Sequence, residues 1–201
     1  MNTMKNSKKV WYAPNKLEAY GEREIKAVEQ CLRDGWLAGF GPRSIEFEEK
    51  IAKEFGKKYG VFVNSGSSAC LLALAALNLP KGCKVITPAL TFSTTLAPII
   101  QLGFIPIFVD SNLTSYVPTV KDMLDVITID TKAIMVPNLI GNKPDFVELK
   151  AGLKTLNRTD IIVIEDSADT VTYTKESDVS TTSFYASHVI TAGGMGGMVM
   201  F

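Results

Sequence analysis

Short apolar runs alternate with helical segments from Tyr59 onwards, and this alternation restricts the chain to few folds. Five runs are rich in β-branched and aromatic residues and predict strands over 59–63, 84–86, 105–109, 133–136 and 161–164. The segments between them predict helices over 67–77, 93–102, 119–127 and 146–156. Strands that are apolar on both faces and separated by helices favour a covered parallel sheet. The sequence therefore predicts an α/β fold with a mostly parallel sheet flanked by helices.

Two further helices are predicted ahead of the first strand, over 16–33 and 42–55, with Gly35 placed to end the first and Pro42 in the first turn of the second. The loop 35–41 between them, rich in glycine and aromatic residues, fits either a plain linker or an interface contact. We expect a flexible N-terminus over 1–15, a helical segment over 16–56 and a larger α/β domain over 57–201. A chain of 201 residues is long enough for one such domain with a buried core.

Charge and cysteine content argue against several classes of function. The 21 basic and 21 acidic residues balance, so the composition favours neither nucleic acid nor an anionic membrane as a partner. No apolar run approaches the roughly 20 residues of a membrane span, and the polar N-terminus has no apolar region typical of a secretory signal. Cys31, Cys70 and Cys83 are widely spaced, which favours reduced thiols in a cytoplasmic protein and no intrinsic metal site.

Polar residues follow several predicted strands, at the sheet edge where α/β proteins bind ligands. The segment 64–69, Asn-Ser-Gly-Ser-Ser-Ala, opens a helix and fits either a phosphate site or an ordinary serine N-cap. Phe92 follows the second strand and fits either a stacking residue or the core. Glu165, Asp166 and Asp169 follow the fifth strand and could bind a metal, act as acid and base, or hold a protonated heterocycle. Metal is the weakest of these, because the chain has one histidine and no cysteine nearby.

That histidine, His188, lies in Ser-Phe-Tyr-Ala-Ser-His over 183–188, ahead of the glycine-rich segment 193–197. A lone histidine is more often structural than catalytic. A catalytic role requires that the preceding strands build a pocket around it.

Several of these motifs occur in an order and at a spacing that resemble one known family: the segments 64–69, 91–92 and 105–110, the pair Glu165-Asp166, and Ser-Phe-Tyr over 183–185 followed by the glycines. Over about residue 16 to the end, the chain resembles the nucleotide-sugar aminotransferases related to DegT, DnrJ, EryC1 and StrS. These bind pyridoxal phosphate on the aspartate-aminotransferase fold. The resemblance implies the large domain of a type I pyridoxal-phosphate-dependent transferase, with the family's C-terminal small domain absent from this chain.

The resemblance also implies roles for individual residues. The backbone of Gly66 and Ser67 and the hydroxyl of Ser183 would hold the cofactor phosphate. Phe92 would stack on the cofactor ring, and Asp166 would pair with its protonated nitrogen.

His188 occupies the position at which aminotransferases of this family carry the lysine that forms the Schiff base. Imidazole has no primary amine and cannot make that bond, but it exchanges protons near neutral pH. The same replacement is similar to that of the 3-dehydratase branch, represented by CDP-4-keto-6-deoxyglucose 3-dehydratase and GDP-4-keto-6-deoxymannose 3-dehydratase. The segment 138–144 resembles that branch's Leu-Gly-Asn-Pro turn, and Asp169 stands where the aminotransferases usually have glutamine. Asp169 would orient His188 or the cofactor's phenolic oxygen.

These features imply an enzyme that removes the C3 hydroxyl of a nucleotide-linked 4-keto-6-deoxyhexose, with pyridoxamine or pyridoxal phosphate bound non-covalently, in deoxysugar, lipopolysaccharide or surface-polysaccharide biosynthesis. An iron–sulfur cluster is implied only if a C-terminal region supplies its ligands. A sugar aminotransferase and a catalytically inactive binding or dimerisation domain remain alternatives. The segment 170–182 is shorter than the family pattern, and Met195 stands where an acid is common. The expected partners are the nucleotide-linked keto sugar and a second copy of the chain, in the cytoplasm, without nucleic acid or membrane.

Overall fold

The structure is a computed structural model that describes residues 20–36 and 39–201. Contacts divide the chain into two units, Met1–Gly39 and Phe40–Phe201. The flexible N-terminus predicted for 1–15 and the first residues of the helix predicted from 16 lie outside the described residues. The domain bounds predicted at 16–56 and 57–201 stay predictions.

The described part of the first unit contains helix α1 (Glu22–Asp34). The side chain of Glu24 reaches back to its N-terminus and accepts the N–H of Gly21 at 2.7 Å. Gly35 ends the helix in the left-handed conformation with φ of 70°, which glycine adopts without steric cost. The predicted stop at Gly35 is confirmed.

The second unit begins with α2 (Pro42–Glu54), and proline occupies its first position as predicted. Strands and helices then follow one another: β1 (Gly60–Val63), α3 (Gly66–Ala76), β2 (Lys84–Pro88), α4 (Ser93–Gln101), β3 (Ile105–Val109), α5 (Val120–Asp125), β4 (Thr131–Pro137), α6 (Phe146–Thr155), β5 (Ile162–Asp166), β6 (Val179–Ser183) and β7 (Gly197–Met200). Across residues 20–36 and 39–201, no helix has the length and apolar composition to cross a bilayer.

All seven strands form one sheet in the order β1-β7-β6-β5-β4-β2-β3. The five strands β6, β5, β4, β2 and β3 are parallel to one another, whereas β7 is antiparallel to both β6 and β1. The predicted mostly parallel sheet is therefore confirmed. Parallel strands bring their carboxyl ends to one edge, and that edge is where ligands bind in such sheets.

Helices cover both faces of this sheet. On one face α3 and α4 pack on the strands, in a cluster that includes Leu74, Ile99, Val85, Met135 and Ile164. On the other face α5 and α6 do the same, with Met123, Leu149, Ile134 and Val163 among the buried residues. Because successive residues of a strand face opposite sides, the ends of β5 and β6 deliver alternate side chains to two different environments.

The sequence did not predict β6 or β7. Strand β6 reads Val-Ser-Thr-Thr-Ser and all five residues are buried, so it lacks the apolar run that marks the predicted strands. Strand β7 is a short Gly-Met-Val-Met segment next to the glycine-rich loop. A second difference concerns β1, which pairs antiparallel with β7 and does not join the parallel set.

Candidate functional site

Asp166 is the last residue of β5, and groups from two helices hold its carboxylate inside the protein. Thr95 in α4 donates its hydroxyl to Oδ2 at 2.7 Å, and the Cys70 thiol in α3 lies 3.5 Å from the same oxygen. The N–H of Ala168 donates to Oδ1 at 3.2 Å. Asp166 is only 7% exposed, so the sheet edge carries a buried carboxylate.

Burial raises the pKa of Asp166 above its ordinary value, because a low-dielectric environment disfavours the charged form. The hydrogen bonds from Thr95, Ala168 and Cys70 act in the opposite direction, and the negative charge of Asp169 adds to the rise. Within the described residues no cation pairs with Asp166. A cationic group that entered this site would favour the ionised carboxylate. The environment therefore fits a protonated heterocycle, one of the three roles that the sequence left open.

Glu165, one residue earlier, faces the other side of the sheet and is fully buried. Its oxygens accept hydrogen bonds from several side chains at 2.7–3.1 Å, namely Asn138, Thr174, Ser177 and Ser180. Such a network satisfies a buried carboxylate within the protein. The two adjacent acids thus have separate surroundings, and Glu165 is committed to structure.

Lys57 belongs to this second network. Its ammonium group donates to the carbonyl oxygen of Ser177 and, at 2.9 Å, to the hydroxyl of the same residue. Burial lowers the pKa of Lys57, while the charges of Glu165 and Asp178 act to raise it. This lysine therefore lies with Glu165 on the face opposite to Asp166.

The turn from β1 into α3 packs against the end of β6. Ser65 is the N-cap, since its Oγ accepts the N–H of Ser68 at 3.1 Å. A Cβ at Gly66 would lie 2.7 Å from the Cβ of Ser183, so glycine is what allows this approach. The N–H groups at Gly66 and Ser67 have no acceptor within the helix and carry the positive end of its dipole. With the Ser183 hydroxyl beside them, they form a candidate anion site.

Phe92 is the N-cap residue of α4 and is 69% exposed, which rules out a place in the core of this chain. It precedes Thr95 by three residues, a spacing that puts both on one side of the helix. The hydroxyl of Thr91 is buried and has no hydrogen-bond partner in the described part of the chain. An exposed ring beside an unsatisfied hydroxyl suits a flat ligand with polar substituents.

His188 lies in the loop after β6. Ser183 Oγ accepts the N–H of Tyr185 at 3.3 Å, and the Tyr185 carbonyl accepts the N–H of His188 at 3.0 Å. The Tyr185 ring packs edge-on against the imidazole, with centroids 5.8 Å apart. Nδ1 of His188 is buried and makes no hydrogen bond to any described residue. Because buried polar atoms are normally satisfied, this nitrogen is available to a bound molecule.

Asp169 is exposed, and its Oδ2 accepts the N–H of Ile140 at 3.2 Å. Ile140 has φ of 54°, a left-handed conformation that is rare for a β-branched residue. Asp169 therefore contacts the turn that follows β4, and within residues 20–36 and 39–201 it makes no hydrogen bond to His188. Its predicted role in orienting His188 or the cofactor stays a prediction. The described residues contain no cluster of three or more His, Cys, Asp or Glu that could hold a metal ion.

The structure packs Gly66 against Ser183. It also connects Asp166 by side-chain contacts to α3, which begins at Gly66, and to α4, which begins after Phe92. Reasoning from the sequence missed Thr95 and Cys70. Thr95 is the last of a hydroxyl-rich run after β2, which was a usable signal. Cys70 had none beyond its position one turn into α3.

Comparison with known proteins gives a family match over residues 18–201, to the DegT/DnrJ/EryC1/StrS aminotransferase family. GDP-4-keto-6-deoxy-D-mannose 3-dehydratase of Escherichia coli O55:H7 is 34% identical over 189 residues, which are 87% of this chain and 48% of that protein. GDP-perosamine synthase of Escherichia coli O157:H7 is 35% identical over 185 residues, 89% of this chain and 50% of that protein. The chain spans about half the length of the curated relatives it matches.

A solved structure of the E. coli GDP-4-keto-6-deoxy-D-mannose-3-dehydratase with bound hydrated PLP is also similar. The TM-score is 0.82 at 31% identity, and the match covers 94% of this chain and 50% of that one. This similarity confirms the predicted fold, the large domain of a type I pyridoxal-phosphate-dependent transferase.

Proposed function

The chain belongs to the DegT/DnrJ/EryC1/StrS aminotransferase family, and on that premise we propose that it is the cofactor-binding part of a pyridoxamine-phosphate-dependent 3-dehydratase. The substrate class is a nucleotide-linked 4-keto-6-deoxyhexose, which loses its C3 hydroxyl. The observation that carries the proposal is His188, five residues after Ser183, whose buried Nδ1 has no hydrogen-bond partner among the described residues. The resemblance to the family implies that its Schiff-base lysine would stand at this position. Relatives named as 3-dehydratases, at 34% and 37% identity, support it.

The described residues fit such a cofactor. The Gly66 and Ser67 N–H groups and the Ser183 hydroxyl would bind its phosphate, since the absence of a Cβ at Gly66 lets the start of α3 pack directly against Ser183. Phe92 is exposed at the N-terminus of α4 and would cover one face of the ring. Asp166 is a buried carboxylate without a cation and would bind the protonated ring nitrogen.

When bound, pyridoxamine phosphate supplies a primary amine that reacts with the sugar ketone and a ring that accepts electrons. Asp166 keeps that ring nitrogen protonated by offering it an anion in a buried environment. His188 accepts and returns a proton at its imidazole, a task that needs no covalent bond to the cofactor. Asp166 ends β5, and His188 lies in the loop that follows the neighbouring parallel strand β6, so both belong to the same edge of the sheet.

The sugar-aminotransferase alternative is favoured by the 35% identity to GDP-perosamine synthase. It requires a lysine that can bond to the cofactor aldehyde. Lys57 has the lowered pKa that such a lysine needs. Its ammonium group, however, donates hydrogen bonds to Ser177 in the Glu165 network. That network lies on the sheet face opposite to Asp166, which favours the dehydratase.

The test compares the protein with His188→Asn in an assay for loss of the C3 oxygen from GDP-4-keto-6-deoxymannose, in the presence of pyridoxamine phosphate. We expect the variant to lose at least about 100-fold in turnover, the effect of removing a general acid or base, while pyridoxamine phosphate still binds. Undiminished turnover in His188→Asn would sink the proposal. If the unmodified protein binds no pyridoxamine phosphate, the non-catalytic binding or dimerisation domain is the remaining interpretation.

We further propose that the protein acts as a homodimer in the biosynthesis of a surface polysaccharide. A relative in Salmonella typhimurium, 35% identical over 188 residues, is named lipopolysaccharide biosynthesis protein RfbH. Helix α1 exposes Ile25, Val28 and Leu32 at helical spacing, a face that a second copy would cover. Sedimentation of the purified chain distinguishes a dimer from a monomer.

A further inference from the structure

The two carboxylate oxygens of Asp166 have different surroundings. Oδ2 receives side chains from two helices, the Thr95 hydroxyl at 2.7 Å and the Cys70 thiol at 3.5 Å. Oδ1 receives one backbone N–H, that of Ala168, at 3.2 Å. Each carboxylate oxygen accepts about two hydrogen bonds. Oδ2 is therefore saturated by the protein, and Oδ1 keeps the capacity for one further donor.

Both side-chain donors are locked in place. Thr95 is fully buried and Cys70 is 2% exposed. The Cys70 sulfur also lies 3.5 Å from the hydroxyl of Thr181 in β6. Burial and the charge of Asp166 raise the pKa of the Cys70 thiol well above its ordinary value, so this group stays protonated and acts as a donor.

We propose that Thr95 and Cys70 are positioning residues that hold the Asp166 carboxylate so that Oδ1 faces the cationic ring N–H of a bound pyridoxamine phosphate. The inference rests on the proposed function for the identity of that ligand. It adds two residues that do not touch the cofactor and act through Asp166.

The spacing along α3 and α4 explains why Cys70 and Thr95 are placed to donate to Asp166. Cys70 comes four residues after Gly66 in α3, and Thr95 comes three residues after Phe92 in α4. Residues three or four apart lie on the same helix face. Each helix therefore offers a cofactor contact at its N-terminus and, one turn further in, a donor to Asp166. The same two helices would therefore position the phosphate, the ring face and the ring nitrogen of bound pyridoxamine phosphate.

The first test measures the affinity for pyridoxamine phosphate by absorbance and fluorescence titration. Thr95→Val keeps the shape and removes the hydroxyl, and we expect it to weaken binding about tenfold or more, the effect of deleting a hydrogen bond to a charged group. Thr95→Ser restores the donor and should bind within about twofold of the unchanged protein. Cys70→Ala should weaken binding less than Thr95→Val, because a thiol is a weak donor.

Thr131→Val is the matched control. Thr131 is also fully buried, and its hydroxyl accepts the N–H of Thr128 at 3.0 Å, but it lies at the opposite, amino end of β4. A similar loss of affinity in Thr131→Val and Thr95→Val would mean that the effect is general destabilisation, and would overturn the inference.

The second test needs no cofactor. The titration of Asp166 is obtained from the pH dependence of unfolding, with Asp166→Asn as the non-titrating reference. Cys70 and Asp169 are the titratable groups that act on this carboxyl, so each variant is compared with its own Asp166→Asn double variant. The Thr95 hydrogen bond acts to lower the pKa of Asp166, so Thr95→Val should move the titration of Asp166 to higher pH. Thr95→Ser should restore the original titration.

The outcomes separate this inference from the proposed function. If Thr95→Val leaves both pyridoxamine-phosphate affinity and the Asp166 transition unchanged, the positioning role is wrong even where the dehydratase is right. If no variant binds pyridoxamine phosphate but Thr95→Val still shifts the transition, the proposed function fails while the control of Asp166 by Thr95 stands.

Discussion

Burial of the Asp166 carboxylate costs folding free energy, and this residue lies in the candidate binding site. Its carboxylate is buried at the carboxyl end of β5, and its partners in the described chain are a hydroxyl, a thiol and one N–H. Neutral donors of this kind offset only part of the cost of burying an anion. The remaining cost is what a cationic ligand would relieve.

The raised pKa of Asp166 predicts a particular pH dependence in the cofactor-free protein. A carboxyl whose folded pKa lies above its unfolded value contributes stability below the unfolded value, and this contribution is lost as pH rises through the folded value. We expect the unfolding free energy of the protein, relative to Asp166→Asn, to fall as pH rises from the ordinary aspartate range. Urea denaturation at a series of pH values measures it. A difference that is flat or increases with pH would contradict this account of Asp166.

At the scale of elements, alternate side chains of β6 lie on opposite faces of the sheet, in two different environments. Thr181 and Ser183 face the side of Cys70 and Gly66, while Ser180 faces the Glu165 network. This arrangement needs small polar side chains on both faces of a buried strand. Glu165 in β5 links β6 to the end of β4, because it accepts hydrogen bonds from Ser180 of β6 at 2.8 Å and from Asn138, which follows β4, at 2.7 Å.

The Glu165 network predicts a large stability effect away from the proposed site. Glu165→Ala leaves several buried donors, among them Asn138 and Ser180, without their acceptor. We expect the variant to lose about 3 kcal/mol or more of unfolding free energy, the range for breaking a buried charged network. The exposed Glu49 provides the control, since Glu49→Ala should stay within about 0.5 kcal/mol. Equal unfolding midpoints for the two variants in urea would show that the network contributes little.

The same elements show why the sequence predicted some features and missed others. Strands β2 to β5 are apolar runs with local patterns, and they were found within a few residues of their bounds. Strand β6 was missed because its hydroxyl residues are buried by tertiary partners, which no local pattern records. Phe92 was ambiguous between core and surface until its exposure was known. Thr95 and Cys70 contact Asp166 from 71 and 96 residues away, so their role follows from the packing of α3 and α4.

At the scale of the whole molecule, the ends of β5 and β6 and the N-termini of α3 and α4 converge on one sheet edge. The candidate anion site at Gly66 and Ser183, the exposed ring of Phe92 and Asp166 belong to these elements, and the loop with His188 follows β6. The family membership explains this convergence, and His188 is what directs the proposal from aminotransfer to dehydration.

The central claim is that residue 188 occupies the position of the family's Schiff-base lysine at a pyridoxal-phosphate site. The most direct measurement treats the protein and His188→Lys with pyridoxal phosphate and borohydride, then locates the reduced adduct by mass spectrometry of peptides. We predict one phosphopyridoxyl group at position 188 in the variant, and no site-specific adduct in the unchanged protein. An adduct at Lys57 in the unchanged protein, or no labelling of position 188 in the variant, would contradict the account.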